Sequence, residues 1–316
     1  MTRVHLTQQL PEATMARLSE LFTVTGPQSG PIAHTAKGAD VLVPTLADPI
    51  DAATIDALLP ELKLIANFGA GYDHIDVAYA KSKGITISNT PSVLTEDTAD
   101  ATMALILAVP RRLGEAAQAV RQQTWQGWNP IYLLGHRVHG KALGIIGMGR
   151  IGRAVAKRAA GFGLNIYYYQ RNQLHPDLEK EFNASYVHSL DGLLGTADIV
   201  SLHCPHTAES HHMIGAPQLQ MMKRDAYLIN TARGALVDEK ALTHALKEGI
   251  VAGAGLDVYE HAPKIPEELR SQPNVLLLPH VASATIESRH EMGERVIINI
   301  KMFTDGHRPP DRVLVP

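Results

Sequence analysis

The sequence predicts an α/β protein built from two doubly wound parallel-sheet domains. Three observations carry this. Short apolar runs alternate with helical patterns along most of the chain, as βαβ units do. With 316 residues, 45% of them hydrophobic and 19% charged, the chain can fill two cores. Near its middle a strand candidate runs into Gly147-Met148-Gly149-Arg150-Ile151-Gly152, and a helical pattern follows.

The first half reads as a small α/β unit. Arg3–Leu6 is expected to be a strand, and Pro11–Phe22 an amphipathic helix with proline at its start. A strand is expected over 39–44 and a helix over 50–62, opened by Asp51. Leu64–Phe68 reads as a strand ending in Gly69-Ala70-Gly71, Val77–Lys83 as a helix closed by Gly84, and Ile85–Ser88 as a further strand. One long apolar helix, Leu94–Leu113, is expected to lead out of this unit. Gln122–Tyr132 reads as irregular and holds both tryptophans, Trp125 and Trp128.

The second unit is expected to have strands at Ala142–Ile146, Leu164–Tyr169, Asp198–His203, Ala226–Asn230, Gly253–Asp257 and Val275–Leu278. Helices lie between them, notably Asp238–Lys247, and Ser288–Phe303 reads as a final helix. No internal repeat or low-complexity segment interrupts the pattern.

The glycine spacing G-x-G-x-x-G between strand and helix has a physical reading. Gly147 permits a tight turn, Gly149 lets backbone approach a pyrophosphate, and Gly152 lets helix pack close to strand. The helix start adds free N–H groups and partial positive charge. The motif therefore points to a bound dinucleotide.

Composition excludes other classes. A net charge of -3 gives no electrostatic reason for a nucleic-acid or anionic-membrane partner. The single cysteine, Cys204, forbids an internal disulfide and suits a reducing cytoplasm. No secretory signal and no bilayer-length apolar run is expected. The 16 histidines are scattered. His211 and His212 adjoin, so on a helix they would point to different sides, and no metal site is expected there.

Seven motifs in order then carry a resemblance. They are Asn67-Phe68-Gly69-Ala70-Gly71-Tyr72-Asp73, Thr95-Glu96-Asp97-Thr98-Ala99-Asp100, the glycine turn, Leu202-His203-Cys204-Pro205, Ile229-Asn230-Thr231-Ala232-Arg233-Gly234, Gly255-Leu256-Asp257-Val258, and the run from Leu278 to Thr285. With these the chain resembles the D-isomer-specific 2-hydroxyacid dehydrogenases, and within them the branch of glyoxylate/hydroxypyruvate reductases and 2-ketogluconate reductases. The resemblance implies a Rossmann coenzyme domain, about 98–286, inserted into a flavodoxin-like substrate domain of 1–97 plus 287–316. It implies substrate bound in the cleft between domains, a homodimer formed through the coenzyme domain, and a small 2-oxo or 2-hydroxy acid as partner.

Reducing a 2-oxo acid needs a hydride donor, a cation that holds the carboxylate and polarises the carbonyl, and an acid that protonates the alkoxide. Arg233 follows a strand at its carboxyl end, where α/β sites lie, and its planar fork suits a carboxylate beside a carbonyl. His280 follows another strand and titrates near neutrality, which suits a general acid in reduction and a base in oxidation. His203 is read as shaping the cofactor loop, and Cys204 as a small buried hydrophobe. Ala70 and Gly71 offer backbone N–H groups to the substrate carboxylate. Trp128 resembles the tryptophan that this branch sends toward the partner subunit's site, against the reading of an ordinary interface or core aromatic. The resemblance further assigns Thr95, Arg150, Ile151, Pro205 and Ala232 to the cofactor, with Asp257, His280 and Ser283.

Two positions set this chain apart. An acidic residue at the end of the second coenzyme-domain strand would bond ribose hydroxyls and repel a 2′-phosphate. Here Gln170-Arg171-Asn172 stands instead, and Arg171 can pair with a 2′-phosphate. NADP(H) is therefore expected to be preferred, with NAD(H) tolerated because Gln170 and Asn172 can also bond hydroxyls. The second departure is Ala262, where the family carries a glutamate that bonds the catalytic histidine. Either Glu260 reaches in, or His280 works alone and more slowly, or the chain is an impaired form; the last two are favoured. Within the family, a phosphoglycerate-type substrate is disfavoured because no regulatory domain follows residue 316. The rival from another class is a dinucleotide-sensing, corepressor-like binding protein.

Overall fold

The computed structural model describes residues 1–314. Two compact units form, Met1–Leu94 joined by residues from Ala284 onward, and Thr95–Ser283. The joins fall slightly before the expected 97 and 287, because Thr95–Asp97 are already the first turn of the helix Thr95–Ala108.

The first unit has strands β1 (Arg3–Leu6), β2 (Thr23–Thr25), β3 (Val41–Val43), β4 (Leu64–Ala66) and β5 (Thr86–Ser88). They pair in the order β2-β1-β3-β4-β5, and every pairing is parallel. This is the flavodoxin-like order. Strand alternation divides its core into two layers. Val41 and Val43 pack with Val4, Leu6 and Leu64 on one face, while Leu42 and Ile65 pack with Ile55, Leu58 and Ile87 on the other. The helix Ile286–Thr304 returns to cover the first face through Met292, Val296 and Ile300. Thr285 caps that helix by accepting from Ser288 N–H.

The second unit has β6 (Ala142–Ile146), β7 (Asn165–Tyr169), β8 (Ala184–Tyr186), β9 (Ile199–Leu202), β10 (Tyr227–Asn230), β11 (Gly253–Leu256) and β12 (Val275–Leu277). Their order is β12-β11-β10-β9-β6-β7-β8, again all parallel. The order reverses at β6, which places a topological switch point at the glycine turn that follows it. β2 and β8 go beyond the expected strands. Each is a three-residue edge strand, too short to show a period of two.

The expected single helix over 94–113 is two helices. The first ends at Ala108, Pro110 follows, Arg112 takes a left-handed φ of 53°, and the second runs Leu113–Arg121. Proline has no N–H and disfavours helical geometry in the residue before it, so the chain turns there. Arg158, on the helix Arg150–Gly161, bridges Glu96 (2.8 Å) and Asp100 (2.5 Å) on the helix Thr95–Ala108.

Gly293 shows how tightly the covering helix sits. A Cβ there would lie 2.1 Å from Thr14 Oγ1 and 3.0 Å from Thr14 Cβ. Gly293→Ala is expected to destabilise the first unit by about 1–3 kcal/mol, read as a lowered denaturant midpoint. An unchanged midpoint would show that the two helices do not pack this closely.

Candidate active site

The glycine turn comes first. Gly147 takes φ 95°, and a Cβ on it would lie 2.7 Å from Cys204 N. A Cβ on Gly152 would lie 2.2 Å from Gly147 O. Both glycines are thus demanded by protein packing. Gly149 differs, since a Cβ on it would meet nothing within 4 Å. It is the N-cap of the helix Arg150–Gly161, and no side chain caps that helix. Open space above an uncapped helix start is a cradle for a phosphate group, so these residues fit a dinucleotide. Arg150 is exposed beside the cap, and Ile151 packs against the adjoining core.

Gln170, at the end of β7, does not present its amide outward. Its Oε1 accepts from Met148 N–H (3.0 Å), and its Nε2 donates to Asn172 O (2.7 Å). Both ends therefore brace the turn, which leaves Arg171 and Asn172 as the exposed residues here. Glu209 is held below the usual carboxylate range by a hydrogen bond from Thr207 and, more weakly, by the charge of Arg171. A carboxylate thus lies within electrostatic range of Arg171, on a loop rather than on β7.

Arg233 is positioned by a buried asparagine. Asn230 ends β10; its side chain accepts from Ala232 N–H (3.0 Å) and donates to Arg233 O (2.9 Å). The hydroxyl of Thr231 meets that of Thr102 at 2.8 Å, both groups buried. The guanidinium of Arg233 donates from Nη1 to Ala232 O (2.7 Å). Gly234 closes the turn by lying against the next loop, where a Cβ would fall 1.9 Å from Tyr259 C and 2.3 Å from Glu260 N.

His280 takes φ 57°, a left-handed conformation uncommon outside glycine. The following peptides are held in place by Asp257, whose two oxygens accept from Val281 N–H (2.7 Å) and Ala282 N–H (2.8 Å). Asp257 is fully buried, and its own N–H donates to Asn230 O (2.9 Å). The structure therefore gives this aspartate the work of fixing the His280 turn. The loops bearing Arg233 and His280 are locked together at the carboxyl ends of β10, β11 and β12. Ser283 closes the same turn and is half-buried.

Ala262 is exposed in the loop after β11. Glu260 does not stand in for the missing glutamate, because its Oε1 lies 2.8 Å from His212 Nε2. Trp128 is 85% exposed in a segment that also exposes Trp125, Ile131 and Leu134. Pro205 lies exposed on the loop after β9, its carbonyl accepting from Ser210 Oγ. Thr95, half-buried, opens its helix.

In the first unit, buried Asn67 organises the loop after β4. Its Nδ2 donates to Gly69 O (2.9 Å) and Gly71 O (2.8 Å), and Asn89 donates to Ala70 O (2.7 Å). In a trans peptide the N–H points opposite to the carbonyl, so the amides of Ala70, Gly71 and Tyr72 turn away from these asparagines. Asn67 and Asn230 were not singled out from the sequence. Their shared signal is a polar residue closing an apolar strand just before a loop.

The family model for the D-isomer specific 2-hydroxyacid dehydrogenase NAD-binding domain matches residues 103–282. The chain belongs to the D-isomer-specific 2-hydroxyacid dehydrogenases. It is a dehydrogenase dependent on a nicotinamide dinucleotide. A glyoxylate reductase of Korarchaeum cryptofilum is 47% identical, over 98% of this chain and 95% of that one. The crystal structure of a glyoxylate reductase from Paecilomyes thermophila superposes with TM-score 0.89 at 37% identity, covering 99% of this chain and 98% of that one. An NADPH-dependent glyoxylate/hydroxypyruvate reductase of Sinorhizobium meliloti, in complex with NADP and malonate, gives TM-score 0.89 at 35% identity, covering 99% and 96%.

His203 and Cys204 behave as framework. Burial pushes the His203 imidazole down to about 3, and its Nε2 lies 2.8 Å from Ser201 Oγ. Burial pushes the Cys204 thiol up to about 11, and its Sγ lies 3.6 Å from Met213 Sδ. A histidine whose folded-state pKa is depressed costs nothing above its unfolded pKa and opposes folding below it. Between pH 6.5 and about 3 the unfolded chain gains a proton that the folded chain refuses. The stability advantage of the native protein over His203→Gln is expected to shrink by about 1.4 kcal/mol per pH unit through that window. Urea unfolding at pH 8, 6 and 5 measures it; a constant difference would place His203 in a solvated setting.

Proposed function

We propose that this protein reduces glyoxylate and hydroxypyruvate, with 2-ketogluconate as a further substrate, to the corresponding 2-hydroxy acids, of D configuration where the product is chiral, preferring NADPH. The observation that carries this reading is the interlocking of the Arg233 and His280 turns through Asn230, Asp257 and Gly234, at the carboxyl end of the sheet that also bears the glycine turn. Relatives named as glyoxylate reductases support the choice of substrate.

The nicotinamide supplies the hydride when bound. Arg233 holds the substrate carboxylate and polarises the carbonyl, and the imidazole of His280 gives its proton to the developing alkoxide. The amides of Ala70 and Gly71 offer the substrate carboxylate further donors. The glycine turn cradles the pyrophosphate, flanked by Arg150 and Ile151, while Thr95, Pro205, Ala232 and Ser283 complete the cofactor surface. The exposed apolar segment around Trp128 is the subunit contact of a homodimer, since such a patch calls for cover. The reducing cytoplasm is the compartment that suits lone Cys204.

NADPH preference rests on the missing acid after β7 and on exposed Arg171. With glyoxylate, NADPH is expected to give the lower KM, and Arg171→Ala to raise that KM roughly tenfold while leaving NADH unchanged. A clear NADH preference in the native enzyme defeats this reading.

Ala262 stands where the family resemblance puts a glutamate, and Glu260 lies against His212. Ala262→Glu is expected to raise turnover on the order of 10²-fold and to move the reductive pH limb upward. An unchanged rate and profile would mean that a carboxylate at position 262 does not act on His280. NADPH binding without turnover of any of the three acids would instead favour a dinucleotide-sensing protein.

A further inference from the structure

The loop after β9 gathers side chains that the reductase reading does not use. His211 and His212 were expected to diverge as neighbours on a helix. They lie in a turn instead, where His212 takes a left-handed φ of 49° and its N–H donates to Ala235 O (2.8 Å). That conformation brings the two rings to the same side, stacked with centroids 4.0 Å apart and planes 19° apart. His212 Nε2 lies 2.8 Å from Glu260 Oε1. One ligating atom from each of His211, His212 and Glu260 lies within 4.8 Å of the others.

We propose that His211, His212 and Glu260 form a binding site for Zn²⁺. Two imidazoles and a carboxylate are a zinc ligand set that leaves the fourth tetrahedral position to water. Outer partners flank this set. His206 Nε2 lies 3.3 Å from His211 Nδ1, so a proton on that Nδ1 leaves the lone pair of Nε2 for the metal. Glu260 is held from behind, since buried Glu239 accepts from Glu260 N–H at 2.6 Å and Gly234 lies against the same backbone. The exposed His211 ring must turn out of its stack on His212, because in-plane lone pairs of parallel imidazoles do not meet at one ion. Glu260 Oε1 and His212 Nε2 need to part by about half an ångström to reach the spacing of two ligands around one zinc ion. Their present contact is a charge-assisted hydrogen bond, the form a carboxylate and an imidazole take without metal. The neighbouring thiol is not among the ligands, because Cys204 Sγ is turned to Met213 Sδ at 3.6 Å. Occupancy ties the loop after β9 to the loop after β11.

The test uses the full, untagged chain, stripped with chelator and titrated with ZnCl₂ by calorimetry, with Co²⁺ as an absorbing probe. One Zn²⁺ per chain is expected, with a visible Co²⁺ band of four-coordinate intensity and a raised melting temperature. His212→Ala and Glu260→Gln are each expected to weaken binding at least about tenfold. His211 is exposed, so His211→Ala keeps the fold and should lose affinity to the same degree. The proposal is overturned if no stoichiometric Zn²⁺ binds. It is equally overturned if His211→Ala binds Zn²⁺ as the native chain does, which marks an adventitious ion only.

Discussion

The buried carboxylate of Asp257 is the constraint on which the site of the second unit depends. It has no exposed surface and spends both oxygens on consecutive backbone amides, those of Val281 and Ala282. A buried carboxylate is costly unless its lone pairs are met, and two charge-assisted bonds meet them here. In return, the chain just after β12 is held so that His280 sits in a left-handed turn. The same aspartate is joined through its N–H to Asn230, whose side chain shapes the Arg233 turn. One network thus sets two side chains from different strands, and the sheet order puts β10, β11 and β12 side by side.

Glycine completes that network by the absence of a side chain. Gly234 lets the Arg233 turn lie directly on the backbone of Tyr259 and Glu260. Gly147 and Gly152 do the same for the turn after β6, where chain meets chain at distances no Cβ permits. Of the three glycines in that turn, only Gly149 has open space where a Cβ would go. That contrast separates the glycines that serve folding from the one that leaves room for a ligand.

Much was legible before the fold was known. The strands of both sheets, β2 and β8 apart, follow from short apolar runs, and Asp51 caps the helix it was expected to open. Edge strands β2 and β8 were not legible, because three residues carry no period. The break at Pro110 was open to view, yet the apolar pattern on both sides of it argued for one helix. Gln170 was expected to face the cofactor, but the unpaired N–H of Met148 claims its amide oxygen. His211 and His212 were expected to diverge if helical, but they lie in a turn, where His212 N–H donates to Ala235 O and the two rings stack.

The sequence by itself determined the fold class, the family and the glycine turn, and it marked Arg233 and His280 as candidates. These rest on residue type and spacing along one chain, which local periodicity and turn chemistry express directly. Only the tertiary structure decided what holds those residues. The partners of Asp257, the engagement of Glu260 by His212, the bracing role of Gln170 and the meeting of His211, His212 and Glu260 all join segments far apart in sequence. Such contacts depend on which strand ends the sheet order brings together, and spacing along the chain does not encode that.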